Sequence, residues 1–313
     1  MLHETGEPFF TVITPTYNRW LLLQEALRSA LRQTFSDFEI LVVDDGSTDG
    51  TPEKLRGSGF SVEVLHCERG GPARARNVAI ARARGRFLAF LDSDDLWLPH
   101  HLQAAHELIR KRAERRFLFS DARFIRSAGV RDSYLAGKSI EEVSYDREGS
   151  WRVFHRSIYP EIIDEPTIAT SSVVVARELV VGLGGFDERL RPFGEDTDLW
   201  LRLVARTESA GDWAVGVERR KQGDNLVDSG QDLLRLSKEI ELLERHYRLD
   251  GRAFRPRIRK RLARVHYERA LAAARSREYG TALVDVVTGL LRSPRCFAQE
   301  AGRPLARRLS TSD

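Results

Sequence analysis

Two aspartate-rich turns set the terms on which this chain can fold. They are Val42-Val43-Asp44-Asp45-Gly46-Ser47-Thr48-Asp49-Gly50 and, about fifty residues later, Phe90-Leu91-Asp92-Ser93-Asp94-Asp95. Each directly follows an apolar run that reads as a buried strand. In an open α/β sheet ligands collect beyond the carboxyl ends of the strands, so two acidic turns in that position face one cleft. Five or six carboxylates converging there repel one another and hold their protons too tightly. A hard cation removes the conflict. Mg2+ or Mn2+ takes oxygen ligands, one or two from carboxylates and the rest from phosphates and water. The pattern therefore implies a site for a nucleoside diphosphate and a divalent metal.

The surrounding periodicity supports that frame. Residues 9–14 form a β-rich run that Pro15 ends, residues 20–32 carry a helical apolar stripe, and residues 39–43, 61–66 and 86–91 read as further strands. Gly70-Gly71-Pro72 opens a helix reaching to about Arg84. This order predicts an α/β fold with a Rossmann-like, mostly parallel central sheet and helices on both faces. Downstream, a helix over 99–112 and a strand over 117–120 are expected, then a stretch without periodicity over 121–166 that reads as a binding loop or lid. A strand over 168–176 and a helix over 195–206 follow. Beyond Asp228 only helices are expected, over 231–247, 257–275 and 279–291, the last two as an antiparallel hairpin. The predicted domains are 1–228 and a basic α-helical C-terminal region, 229–313.

Composition excludes several classes. At 313 residues, 42% hydrophobic and 31% charged, the chain reads as a soluble globular protein with one large core and an appendage. Its two cysteines, Cys67 and Cys296, lie far apart without a His or Cys at ligand spacing. Neither a disulfide framework nor structural zinc is expected, and a reducing cytoplasm fits. Residues 1–8 lack an apolar signal core, and no window approaches about eighteen apolar residues, so neither export nor a membrane span is expected. The net charge of +4 hides an asymmetry: from Arg252 onward there are fifteen Lys or Arg against five Asp or Glu. There Arg255, Arg257, Arg259, Lys260, Arg261 and Arg264 read as a solvated helix face, a contact to an anionic membrane leaflet, or a homodimer contact. Without interleaved aromatics they do not suggest nucleic acid.

Each acidic or basic cluster has a plainer reading beside the chemical one. The first turn is also good strand-to-helix punctuation. However, Thr14-Pro15-Thr16-Tyr17-Asn18-Arg19 puts the Tyr17 ring beside Asp45, where a base stacks on the ring while the carboxylate accepts its N–H; uracil has one such hydrogen. One carboxylate of the second turn would suffice to cap a helix, and three exceed that need. Asp94 is the expected direct metal ligand, with Asp92 acting from the ribose side or through water and Asp95 orienting the turn. Gly70-Gly71-Pro72-Ala73-Arg74-Ala75-Arg76-Asn77 opens a helix whose N-terminus attracts anions, within reach of Arg74 or Arg76. In Phe193-Gly194-Glu195-Asp196-Thr197-Asp198, either Glu195 or Asp196 caps the helix or serves as general base, and only one of two neighbours can point into the cleft. Glu218-Arg219-Arg220-Lys221-Gln222-Gly223-Asp224-Asn225 reads as a basic loop suited to a departing diphosphate, or as surface charge.

Taken in order, these segments resemble the family 2 glycosyltransferases of the GT-A fold. The resemblance runs from about Phe9 to Val227. It rests on Val12 to Arg19, Gln33 to Ile40, the Asp-Asp-Gly-Ser-Thr-Asp turn, Gly-Pro-Ala-Arg-Ala-Arg-Asn, Phe-Leu-Asp-Ser-Asp-Asp, Gly-Gly-Phe-Asp-Glu and Gly-Glu-Asp-Thr-Asp-Leu-Trp-Leu-Arg. It implies an inverting, single-displacement transfer from a nucleotide-diphosphate sugar, commonly a UDP-sugar, with Mg2+ or Mn2+ on the diphosphate. It also implies that Pro15 and Tyr17 line the base pocket, Asp45 pairs with the base, Arg76 and Asn77 lie beside it, and Asp92 and Asp94 form the metal motif. Asp196 becomes the expected base, and Gly184 to Asp187 the acceptor side. Where family members often carry a histidine in the basic loop, this chain has Lys221 and Gln222. It shows neither the Gln-x-x-Arg-Trp motif nor the transmembrane helices of processive synthases, so addition of one sugar, or very few, to a saccharide or lipid-linked acceptor is expected, as in cell-surface polysaccharide or glycoconjugate synthesis. The rival readings are a sugar nucleotidyltransferase, whose glycine- and arginine-rich N-terminal loop is absent, and a catalytically silent nucleotide-sugar-binding or assembly protein. The expected location is cytoplasmic, with the inner membrane face as a peripheral site.

Overall fold

Phe10–Thr16 (β1) is buried along its whole length, as a strand covered on both faces must be. A computed structural model of the chain describes residues 6–126, 129–131, 133–190, 193–220, 232–249 and 253–302. It divides into two units, Met1–Arg191 with Glu195–Gln222, and Pro192–Gly194 with Gly223–Asp313.

In the first unit β1 leads into Trp20–Leu31 (α1), Phe38–Asp44 (β2), Thr51–Arg56 (α2), Glu63–His66 (β3), Pro72–Arg82 (α3) and Phe87–Phe90 (β4). β3, β2, β1 and β4 are neighbours in that order and all parallel. Pro15 does not end β1. It has no N–H to donate, but it lies past the last β1–β4 pair, Ile13 with Phe90, and pairs Val43 in register with β2. The strand alternation sends Val12, Ile40, Val42 and Ala89 into one core with Leu23, Ala26 and Leu27 of α1. Phe90 instead meets Trp200 and Phe186, with ring centroids 5.7 and 5.5 Å away.

Asp95–Trp97 (β5), His101–Lys111 (α4), Phe117–Arg126 (β6), Gly129–Arg131 (β7), Tyr145–Glu148 (β8), Trp151–Phe154 (β9) and Tyr159–Asp164 (α5) come next. The first unit closes with Val173–Ala176 (β10), Arg177–Gly182 (α6), Glu195–Val204 (α7) and Ser209–Arg220 (β11). Beyond β4 the sheet is mixed: β10 runs antiparallel between β4 and β6, while β11 lies parallel to β6 and antiparallel to β9.

The stretch 121–166 is not a loop or lid, since β6 extends into it and β7, β8, β9 and α5 fill it. Its strands are only three or four residues long, and β8, Tyr-Asp-Arg-Glu, is a charged edge strand, so local periodicity is too weak to reveal pairing supplied by β11. The strand expected over 168–176 begins only at Val173, after a 3-10 turn over Thr170–Ser172. Glu218, Arg219 and Arg220 belong to β11 rather than to a loop, because they pair with β5 and β6.

The second unit holds Asp232–Leu249 (α8), Arg255–Arg275 (α9), Tyr279–Arg292 (α10) and Pro294–Ala301 (α11). α8 buries Leu236, Leu242 and Leu243, and α9 buries Ile258, Leu262 and Val265. α9 and α10 are antiparallel, as expected: Arg259 Nε donates to Arg292 O, and His266 and Arg269 reach Asp285. At their crossing a Cβ on Gly289 would lie 2.5 Å from the Phe297 ring, so only glycine admits that packing. Asp285 is fully buried and binds His266 Nδ1 at 2.7 Å and Arg269 Nε at 2.8 Å. Burial holds the His266 pKa below its ordinary 6.5 despite the pull of Asp285. Asp285→Ala is expected to destabilise this unit by about 2 kcal/mol in urea denaturation, because the buried His266 and the partly buried Arg269 guanidinium lose their common partner. Stability within about 0.5 kcal/mol of wild type would contradict that weight for the pair.

Candidate active site

β2 carries the first acidic turn out of the sheet. The Ser47 N–H donates to both oxygens of Asp44 at 3.3 and 3.2 Å, which closes the turn on itself. Asn18, in the left-handed region at φ 49°, stitches this turn to the end of β1. Its Oδ1 accepts from Thr48 N at 2.7 Å, and its N–H donates to Ser47 Oγ at 2.9 Å. Asp45 is 6% exposed. Its two oxygens accept from the amides of Gly70 and Gly71 at 2.7 and 2.8 Å, so it anchors the turn that opens α3. Cys67 sits beside it, and burial together with the Asp45 charge pushes its thiol up to about 11. Pro15 is buried in β1, and the Tyr17 ring carries the Arg69 guanidinium 4.2 Å from its centroid. Arg69 gave no signal in the sequence.

β4 carries the second turn. One carboxylate oxygen from each of Asp92, Asp94 and Asp95 lies within 4.8 Å of the others. Such crowding is tolerable only because cations converge from three other segments. Arg19, at the start of α1, holds Asp94 Oδ2 at 2.7 Å, and Arg76 of α3 holds Asp92 Oδ1 at 2.6 Å. Arg219 lies 3.8 Å from Asp95, while Arg220 donates from Nε to Asp94 O at 2.6 Å and pairs with Glu25 of α1. Ser171, from the 3-10 turn before β10, donates to Asp95 Oδ2 at 2.6 Å and accepts from Asp92 N at 3.1 Å. Burial, then the Asp92 charge, raises the Asp94 pKa against the pull of Arg19. Burial pushes Asp95 up to about 7, with Arg219 opposing and Asp94 and Asp92 adding to it. Among the described residues, the second oxygen of Asp92 and that of Asp94 take no protein hydrogen bond. Carboxylates of Asp92 and Asp94 this close, each with one oxygen that no arginine holds, fit a hard cation that would share them with Arg76 and Arg19, and Asp95 is the one committed to holding the turn.

The third cluster begins α7. Its two acidic neighbours diverge, as helical geometry requires. Glu195 is buried and accepts from Arg76 Nη1 at 3.2 Å. Asp196 turns the other way: its Oδ2 accepts from Thr170 Oγ1 at 3.1 Å and its Oδ1 from Thr197 N at 2.6 Å. Thr170 adjoins Ser171, so one short turn touches both Asp196 and the second acidic turn. Neither residue stood out in the sequence, which carried no signal beyond an apolar run.

Arg76 joins the clusters. It is 4% exposed, bridges Asp92 and Glu195, and lies 5.3 Å from the Phe186 ring. Burial disfavours its charge, but the carboxylates of Asp92 and Glu195 outweigh that and lift its pKa above the ordinary value. Asn77, next on α3, faces the Gly184–Gly185 turn: its Nδ2 donates to Phe186 O at 2.9 Å and its Oδ1 accepts from Phe186 N at 2.9 Å. A Cβ on Gly185 would approach that Oδ1 to 2.5 Å, so glycine at φ 72° is required there. Arg202 donates to Leu183 O and Gly185 O and pairs with the fully buried Asp198, tying α7 to the same turn. Lys221 lies outside the described residues, as does the rest of the basic loop.

Burial, then the charge of Asp196, pushes the Glu195 carboxyl from its ordinary 4.5 up to about 7, although Arg76 pulls the other way. The native state therefore holds a proton that the unfolded state has released between those values, and stability falls as pH rises through this window. Glu195→Gln, neutral at every pH, keeps an amide oxygen as an acceptor for Arg76 and is expected to lose that decline, so that its stability relative to wild type rises between about pH 4.5 and 7. Urea denaturation without divalent metal reads it, and parallel pH profiles for the two proteins would contradict the assignment.

The profile described as Glycosyl transferase family 2 matches residues 11–161. An uncharacterized glycosyltransferase of Rickettsia felis is 33% identical over 217 residues, which make up 67% of this chain and 32% of that protein. The Escherichia coli UDP-Glc:alpha-D-GlcNAc-diphosphoundecaprenol beta-1,3-glucosyltransferase WfgD is 34% identical over 202 residues, covering 62% of this chain and 69% of the relative. The chain spans about a third of the length of the Rickettsia felis, conorii and bellii relatives. Among solved structures, S. aureus TarS 1-349 in complex with UDP-GlcNAc superposes with a TM-score of 0.58 at 21% identity, over 89% of this chain and 90% of the other. The mannosyltransferase PcManGT from Pyrobaculum calidifontis, in complex with GDP-Man and Mn2+, gives 0.58 at 22% identity, over 98% and 80%. These likenesses show the fold, a GT-A-like mixed α/β sheet with C-terminal helices. With over two-thirds of the Escherichia coli relative covered at 34% identity, the chain belongs to glycosyl transferase family 2.

Proposed function

We propose that the chain moves one sugar from a UDP-sugar to an acceptor hydroxyl, with inversion, at a site holding Mg2+ or Mn2+. What carries this reading is the pairing of Asp92 and Asp94 at the end of β4, each with one carboxylate oxygen held by an arginine and the other left to a cation. A divalent ion held there would neutralise the diphosphate as it departs. The chain's own residues supply the rest. Arg19 already lies on Asp94 and is available to turn toward phosphate oxygens, and the Tyr17 ring would take a base on the face that Arg69 now covers once that side chain swings aside. Glu195 is committed to Arg76, whereas Asp196, among the described residues, is held by two threonines and is half-buried. Asp196 is thus the better placed base. The acceptor oxygen bonds to the anomeric carbon as the bond to the diphosphate breaks, and its proton passes to an Asp196 oxygen.

The Escherichia coli relative is named for UDP-Glc and a diphosphoundecaprenol-linked acceptor, and the TarS structure holds UDP-GlcNAc. Both support a uridine donor, and the first supports a lipid-linked saccharide as acceptor in cell-surface polymer synthesis. The structure of the Pyrobaculum enzyme makes GDP-Man the comparison donor.

Thermal shift of the full chain with UDP, UDP-Glc, UDP-GlcNAc or GDP-Man, with and without Mn2+, tests donor and metal together. UDP-sugars should raise the melting temperature only with Mn2+, and Asp94→Asn should abolish that dependence. An unchanged Mn2+-dependent shift in Asp94→Asn would overturn the metal role. Asp196→Asn should keep the donor-induced shift and lose about 10²–10⁴-fold in turnover. Wild-type turnover in that variant would remove the base assignment, and donor binding without any turnover in the native chain would favour a silent binder.

A further inference from the structure

α10 is turned inside out. Its 14 residues span about 21 Å. Tyr279, Leu283, Val284, Val287, Leu290 and Leu291 are 40–76% exposed, and at this spacing the aliphatic residues form one stripe. The buried side, against α9, carries Asp285 and Gly289 instead. The ion pairs of Asp285 and the closeness that Gly289 allows hold that side inward, so the apolar side has nowhere to go but out. A stripe of this size on a soluble surface calls for an occupant.

Charge identifies the occupant. No charged residue falls on the stripe itself, while Arg275 and Arg277 are exposed before α10 and Arg295 is exposed after it, against the single exposed acid Glu278 between them. Two copies pairing along antiparallel α10 helices would bring Arg275 and Arg277 of one against Arg295 of the other, a like-charge contact. An anionic lipid surface takes both features at once, the stripe at the headgroup boundary and the arginines on phosphates. The arginines of α9 that first drew attention are largely engaged within the helical unit. Arg255 lies over the Tyr247 ring, Arg261 pairs with Glu239, and Arg264 lies near Glu268 and Glu300. No described helix is long and apolar enough to cross a membrane, so the contact lies in the interface plane.

We propose that the outward stripe of α10, flanked by Arg275, Arg277 and Arg295, seats the chain on an anionic membrane surface. This rests on the helical unit alone and stands or falls separately from the transfer chemistry. Co-sedimentation of the full chain with phosphatidylcholine vesicles, with or without about 30% phosphatidylglycerol, tests it. The wild-type chain should partition at least about tenfold more strongly onto the anionic vesicles. The combined variant Leu283→Asp, Val287→Asp, Leu291→Asp should lose that partition by more than about tenfold with an unchanged circular dichroism spectrum. Arg275→Gln with Arg277→Gln and Arg295→Gln should erase the preference for anionic lipid, which keeps the test informative should the first variant fail to fold. Wild-type partition in either folded variant overturns the proposal. So does a chain that ignores both vesicles and sediments as a dimer that Val287→Asp dissolves, since a second copy would then cover the stripe.

Discussion

A single buried guanidinium carries the geometry on which the candidate site depends. Arg76 lies in α3, yet it binds Asp92 at the end of β4 and Glu195 at the start of α7, residues 16 and 119 positions away in sequence. A cation this deeply buried is sustainable only with carboxylates on it, and those carboxylates are sustainable beside Asp94, Asp95 and Asp196 only with the cation present. The arrangement is thus mutual: neither partner could be removed without leaving an uncompensated charge in the core. Arg19, Arg219 and Arg220 repeat the device around the second turn, so the acidic cleft is neutralised by arginines from three different elements before any ligand arrives.

This bears on how ligand-facing side chains and scaffold side chains divide the motif. Asp45 and Asn77 carry hydrogen bonds that hold backbone turns: Asp45 the Gly70–Gly71 turn, Asn77 the turn at Gly185–Phe186. A carboxylate or amide oxygen that suits the N–H of a base also suits a glycine-rich loop, because both present N–H groups to it. Sequence alone does not separate the two uses, and here the loops account for one lone pair on each oxygen of Asp45.

The parallel half of the sheet was legible because β1, β4 and most of β2 are buried apolar runs, and β2 and β4 end in acidic turns, a local pattern. β1, β2, β4, α1 and α3 lie within a few residues of where periodicity and turn chemistry put them. The mixed half was legible only in part: β6 and β10 lie where apolar runs put a strand, and the short strands do not. β5, β7, β8 and β9 owe their existence to pairing with β6, β11 or one another, and strands of three or four residues carry too few side chains to express a period. Thr170 and Ser171 were hidden for a related reason: an apolar run reads as strand, and the 3-10 turn that aims them at Asp196 and Asp95 is a tertiary outcome. The acidic residues were visible as clusters, but their division into Glu195 facing Arg76 and Asp196 facing Thr170 needed α7 in place.

α10 shows the limit of periodicity in a sharper form. A helical stripe of Leu and Val is ordinarily read as the buried side, since burying it is the cheapest arrangement. That inference assumes the polar side has no better partner than water. Asp285 has one, because the hairpin brings Arg269 and His266 against it, and a buried carboxylate without its guanidinium and imidazole partners is far costlier than a few aliphatic side chains left exposed. The orientation of an amphipathic helix is therefore decided by what the opposite helix offers, and the apolar side follows. Once the polar side is locked inward, the stripe becomes a surface whose occupant is chosen by the charges around it.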